Sequence, residues 1–156
     1  MAKSTPAILA LQRAGVAFTL HTYDYDPGDQ RVGLQAAAAL GVDAAEVFKT
    51  LMALVDGKPV CAIAPSDREI SLKRLAAAAG GKAAKMMPPA DAERATGYRV
   101  GGISPFGQRR AVPVFLDETA LAFPLIFLNG GQRGLQVRLD PREIIRALGA
   151  TPVALV

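Results

Sequence analysis

Residues 47–64 read VFKTLMALVDGKPVCAIA, and the way its two apolar halves fold decides the architecture. Residues 47–55 carry a single charge, Lys49, and are apolar at odd and even positions alike, the pattern of a strand covered on both faces. Asp56-Gly57 is a turn dipeptide, and residues 59–64 return as the partner strand. A buried antiparallel hairpin in mid-chain does not fit the regular strand-helix-strand alternation of a doubly wound sheet. Further on, strands predicted over 112–116, 122–128 and 135–139 follow one another through short turns. The fold class is therefore α+β with a mixed or antiparallel sheet.

The flanking segments supply helices. Ser4-Thr5-Pro6 places a capping residue before a proline, opening a first helix through Ile8, Leu9 and Leu11 that stops at Gly15. Residues 16–23 read as a strand ended by DYDPGD at 24–29, and an alanine-rich helix over 34–40 closes at Gly41. Ser66-Asp67-Arg68-Glu69 has capping-box spacing ahead of Leu72, Leu75, Ala76 and Ala79. A short piece at 85–87 and a helix over 90–96 precede the loop GGISPFG (101–107). Asp140-Pro141-Arg142-Glu143 opens a last helix through Ile144, Ile145 and Leu148.

At 156 residues, with 51% hydrophobic and 21% charged side chains, the chain fits one globular domain, 1–156, with a core of its own. The apolar run 121–128 is too short to span a bilayer and contains Pro124. The start Met1-Ala2-Lys3 leads into a helix, not into a signal-peptide core, so a cytoplasmic protein is expected. One cysteine, Cys61, excludes an internal disulfide framework, and one histidine, His21, leaves too few ligands for a closed zinc site. Neither a metal nor another cofactor is expected. Any Ser-His-Asp or Cys-His arrangement would rest on His21 alone.

Charge is uneven: residues 1–57 carry 4 basic and 6 acidic side chains, whereas 58–156 carry 14 and 8. A face for a polyanion and ordinary solvation of helices both produce that asymmetry. Two glycine clusters, GGISPFG and NGGQRG (129–134), lack the signatures of phosphate or dinucleotide loops. They read either as turns needing positive φ or as places where main-chain amides approach a ligand, with Ser104-Pro105 stiffening the first. Lys49 reads as an edge guard or as a cation facing a cleft. His21, Tyr23 and Tyr25 alternate along one side of the first strand, while Cys61 reads as a small core residue.

LHTYDYD (20–26), VFKTL (47–51), GYRVGGISPFG (97–107) and NGGQRGLQV (129–137), in that order, resemble the YbaK family of aminoacyl-tRNA deacylases. That family is related to the editing domain inserted in bacterial prolyl-tRNA synthetases. The resemblance runs over essentially the whole chain. It implies a mixed, partly barrel-like sheet flanked by helices, and hydrolysis of mischarged Cys-tRNA(Pro) in trans, with tRNA(Pro) and prolyl-tRNA synthetase as partners. It carries the principal functional side chain onto Lys49, with Gly101 and Tyr23 as further catalytic residues. Gly102, Ile103, Ser104, Asn129 and Val32 fall to substrate binding. Asn129 stands where a member of the family has serine, and Val32 where an aromatic residue can stand.

The resemblance also implies a mechanism without a protein nucleophile. The substrate's cysteine thiol attacks its own ester carbonyl, releasing a thiolactone and free tRNA, while the protein positions and stabilises. Two rivals differ in kind: the same fold clearing another ester, such as Ala-tRNA(Pro), with water, and a non-catalytic module that binds tRNA or a synthetase.

Overall fold

The computed structural model describes residues 4–29 and 31–156, so the Met1-Ala2-Lys3 start lies outside the described residues. Among those residues are five α-helices: α1 (Pro6–Arg13), α2 (Val32–Leu40), α3 (Leu72–Ala78), α4 (Pro89–Thr96) and α5 (Pro141–Leu148). Strands β1 (Phe18–Thr22), β2 (Phe48–Val55), β3 (Lys58–Pro65), β4 (Ala84–Met86), β5 (Val114–Asp117), β6 (Ile126–Asn129), β7 (Leu135–Leu139) and β8 (Thr151–Val153) form two sheets. One has the order β1-β7-β6 and the other β4-β2-β3-β5-β8. Pairs β3–β5 and β5–β8 are parallel and the rest antiparallel, so the expected mixed α+β class holds.

The hairpin is built as its sequence demands. Asp56 and Gly57 both take positive φ, 48° and 82°, which matches a two-residue turn to the twist of its strands. Phe48 and Met52 face the main core with Ile63, Leu116 and Val137. Ala53 and Val55 face a second core with Leu75 and Ala76 of α3. Both faces of β2 are thus covered, which is why its sequence shows no alternation.

In the smaller sheet Val137 and Leu139 also enter the main core, while Phe127 lies beneath Ala36 and Ala37 of α2. The two sheets are linked by one parallel bridge, Val47 to Phe127. The barrel-like arrangement is therefore open. β4 pairs with β2 only over Ala53–Val55, followed by a bond from Met87 N–H to the Met52 carbonyl at 3.0 Å. The Val47 carbonyl accepts from Ser66 N–H (2.8 Å) on the β3 side. Main-chain groups alternate sides along a strand, so those of Thr50 point the other way, into a gap between β4 and β6.

Three local expectations are corrected, and one strand was not expected. The capping box at Ser66 does not start a helix: Ser66 still extends the β2–β3 ladder, and α3 is capped by Ser71, whose Oγ accepts from Arg74 N–H (3.2 Å). The strand predicted over 122–128 begins only at Ile126. A 3₁₀ turn over Glu118–Ala122, capped by Asp117, and the donorless Pro124 occupy the earlier part. The strand predicted over 112–116 starts at Val114, after Pro113. β8, which contains Pro152 and only three residues, had no signal of its own and forms because β5 offers it an edge.

Candidate active site

The gap beside β2 is the mouth of a cavity of about 540 Å³. Its walls come from β2 (Phe48–Met52), the N-terminal turn of α2, the loop after β3 (Ser66–Glu69), β4 with its following turn, and the two glycine loops. Lys49, Val32, Gly101, Ile103 and Asn129 all line it. Residues from at least six separate stretches of sequence are thus brought to one enclosure.

Lys49 lies on the face of β2 shared with Leu51, Ala53 and Val55, and its ammonium donates to the Arg68 carbonyl at 2.8 Å. It forms no ion pair among the described residues. Beside it, α2 starts without a side-chain cap at Arg31. The start of α2, where the Asp29 carboxylate accepts from the Arg31 N–H (2.9 Å), and the Lys49 ammonium line the same cavity.

The glycine loops are locked to each other. Asn129 Oδ1 accepts from the N–H groups of Gly131 (2.7 Å) and Gln132 (3.1 Å), and its Nδ2 donates to the Gly101 carbonyl (3.1 Å). Arg133 Nε donates to the Val100 carbonyl (2.9 Å), with its guanidinium over the Tyr25 ring. Gly101 has φ of 93°, and a Cβ there would stand 2.7 Å from Tyr25 Oη. At Gly102 a Cβ would meet the main chain of Gln132 and Arg133 at about 3 Å. These two positions need glycine for different reasons: conformation and contact at Gly101, contact alone at Gly102. With its carbonyl held by Asn129, the Gly101 N–H has no acceptor among the described residues.

Three expected residues lie elsewhere. Gly102 is buried at the junction of the loops. Ser104 is fully buried and works within its own loop: Oγ accepts from Phe106 N–H (3.1 Å), and its carbonyl accepts from Gln108 Nε2 (3.0 Å). Tyr23 continues the β1–β7 ladder through its N–H to the Gly134 carbonyl (2.9 Å) and packs against the cluster under α2. Its hydroxyl has no partner among the described residues, and burial, with Tyr25 nearby, pushes the phenol above its ordinary value. In that row of side chains it is Tyr25, not Tyr23, that touches the Gly101 loop.

As site residues the sequence did not single out Thr50, Ser66 or Gln136, all of which line the cavity. Gln136 sits in LQVRL, where a polar residue between apolar ones reads as solvent-facing; α2 covers that face instead. Cys61 is fully buried, and burial pushes its thiol up to about 12. Such a thiol is not a nucleophile at neutral pH.

Residues 33–147 match the family model described as aminoacyl-tRNA editing domain. The chain is 34% identical, over 79% of its length and 76% of the relative's, to the Enterococcus faecalis protein named "Putative Cys-tRNA(Pro)/Cys-tRNA(Cys) deacylase EbsC". It is 33% identical to the proline–tRNA ligase of Acidithiobacillus ferrooxidans across 61% of this chain, which is 16% of that much longer protein. A solved structure described as a "putative trans-editing enzyme for prolyl tRNA synthetase" superposes with a TM-score of 0.82 at 23% identity, covering 99% of this chain and 98% of that one.

Proposed function

From the premise that this chain belongs to the aminoacyl-tRNA editing domain family, of YbaK type, we propose that it clears Cys-tRNA(Pro) in trans. The observation that carries the reading is the cavity itself: it joins Lys49, Gly101, whose N–H has no acceptor among the described residues, and the start of α2, while the chain's one thiol is buried away from it. An enclosure with cationic and amide groups but no activated protein nucleophile suits a substrate that brings its own.

In the proposed reaction the thiol of the cysteinyl group loses its proton, and its sulfur attacks the ester carbonyl. The carbonyl oxygen gains charge opposite the Gly101 N–H. The carbon–oxygen bond to the ribose then breaks, the ribose oxygen takes a proton, and a thiolactone leaves. Lys49 and the start of α2 hold the terminal phosphate or ribose, while Ile103, Val32 and Asn129 bound the aminoacyl pocket. Gly102 and Ser104 act by holding the loop. Tyr23 supports the sheet face behind the cavity. Prolyl-tRNA synthetase is the source of the mischarged tRNA(Pro) and the expected partner.

The test is deacylation of Cys-tRNA(Pro) beside Ala-tRNA(Pro). Rapid loss of the cysteinyl ester alone supports attack by the substrate thiol. Preference for the alanyl ester would move the reaction to water, and salt-sensitive binding without turnover of either would leave only a tRNA-binding module.

A further inference from the structure

Each residue of a strand carries one main-chain donor and one acceptor, and leaving them buried without partners is costly. Along β2 those of the odd-numbered residues turn to β3, in step with the bond from Ser66 N–H to the Val47 carbonyl. Those of the even-numbered residues turn to the side of β4 and β6. There the Met52 carbonyl accepts from Met87 N–H and pairing with β4 begins at Ala53, while the isolated bridge to β6 stands at Val47. Thr50 lies between, and neither its N–H nor its C=O has a hydrogen-bond partner among the described residues. Its hydroxyl oxygen is buried, so the polar groups that this half-buried residue can turn to the cavity are those two.

We propose that the aminoacyl group of the ester binds as a one-residue addition to this open edge, its carbonyl oxygen accepting from Thr50 N–H and its α-amino group donating to the Thr50 C=O. This rests on the reading of the cavity as an aminoacyl-ester site. A residue opposite Thr50 in an antiparallel hydrogen-bonded pair makes those same two bonds through its own C=O and N–H. An α-aminoacyl ester carries the same N–Cα–C=O atoms in the same order. Donor and acceptor come from one residue, so the strand itself fixes their spacing and no second side chain has to converge on the amine.

The chemistry agrees on both sides. An α-ammonium donates and cannot accept, which suits a carbonyl, and a neutral acceptor binds it without burying a second charge. A carbonyl oxygen has two lone pairs, so the Thr50 N–H is compatible with the Gly101 N–H of the proposed reaction. Directly opposed residues set their side chains on one face. Thr50 shares its face with Phe48 and Met52, which meet the main core. The substrate's side chain therefore stands toward Met87, Ala92 and Ile103, which line the cavity and pack in or against that core, and away from Lys49.

The probes are two stable amides of 3′-amino-3′-deoxyadenosine, one acylated with L-alanine and one with propionic acid, which lacks only the amine, with adenosine as a third. Each is titrated into the isotope-labelled wild type and followed by nuclear magnetic resonance at Thr50. The Thr50 amide proton should move downfield with both amides, and the Thr50 carbonyl carbon with the alanyl amide only. The alanyl amide should bind about tenfold or more tightly than the propionyl amide, the scale of one hydrogen bond to a charged group. Equal affinities, or a bound alanyl amide that leaves the Thr50 signals in place, overturns the proposal. The same shifts with adenosine alone overturn it too, because the adenine edge also offers a donor beside an acceptor and would then occupy this place. Binding of none of the three overturns it as well, and turnover of Cys-tRNA(Pro) by the wild type then tells whether the function itself falls or this contact alone.

Discussion

Lys49 is held by a carbonyl and not by a carboxylate, so its charge is available to a ligand. Lys49→Ala should lower kcat/KM on Cys-tRNA(Pro) by about a hundredfold or more, the scale of losing one charge-stabilising group, while circular dichroism and melting temperature stay unchanged. Gly101 carries two constraints, its φ of 93° and the contact with Tyr25 Oη. Gly101→Ala should reduce turnover about tenfold or more, and adding Tyr25→Phe should restore part of it by freeing space for the new methyl. If the double variant is no better than the single one, backbone conformation alone explains the loss. Cys61 belongs to the core: Cys61→Ser should leave turnover within about twofold while lowering stability by about 1–3 kcal/mol, read by urea unfolding, for burying a hydroxyl.

Among the elements, those governed by local rules were legible in the sequence. The hairpin at Asp56-Gly57, the Asp140 cap of α5 with Oδ1 accepting from Arg142 N–H (2.9 Å), and the Thr5 cap of α1 all follow from residues a few positions apart. Ser66 and Ser71 show where such rules fail, because two serines competed to start α3 and the β-ladder claimed the first. Gln136 was missed since one strand cannot report what covers its other face. The loop clasp was invisible for a related reason: Asn129 binds main-chain groups of residues 101, 131 and 132, and only the first of these is distant in sequence. What the motifs conveyed was membership in a family, and through it five residues that do share one cavity. Asn129→Ala removes three hydrogen bonds at once. It should destabilise the protein by about 2–4 kcal/mol in urea unfolding and should impair turnover of every ester, since the loop itself is lost.

For the molecule as a whole, burial of Cys61 and Tyr98 makes stability fall in alkali. Both groups rise to about 12 in the fold, above their unfolded values of about 8.5 and 10. Between those values and about 12 the unfolded chain releases protons that the folded chain retains, so unfolding is favoured progressively as pH rises. Urea midpoints measured from pH 8 to 11 should decline, and Cys61→Ser should remove the earlier part of the decline. The single bridge between Val47 and Phe127 has another consequence. Where the edge of β2 turned away from β3 runs unpaired between that bridge and Met52, the cavity occupies the room a further strand would have filled, and Thr50 keeps its peptide group facing inward. The pocket is a vacant lane in the sheet. Its width is then set by the strands on either side, so exchanging side chains along the lane should change what the pocket accepts while the backbone stays put.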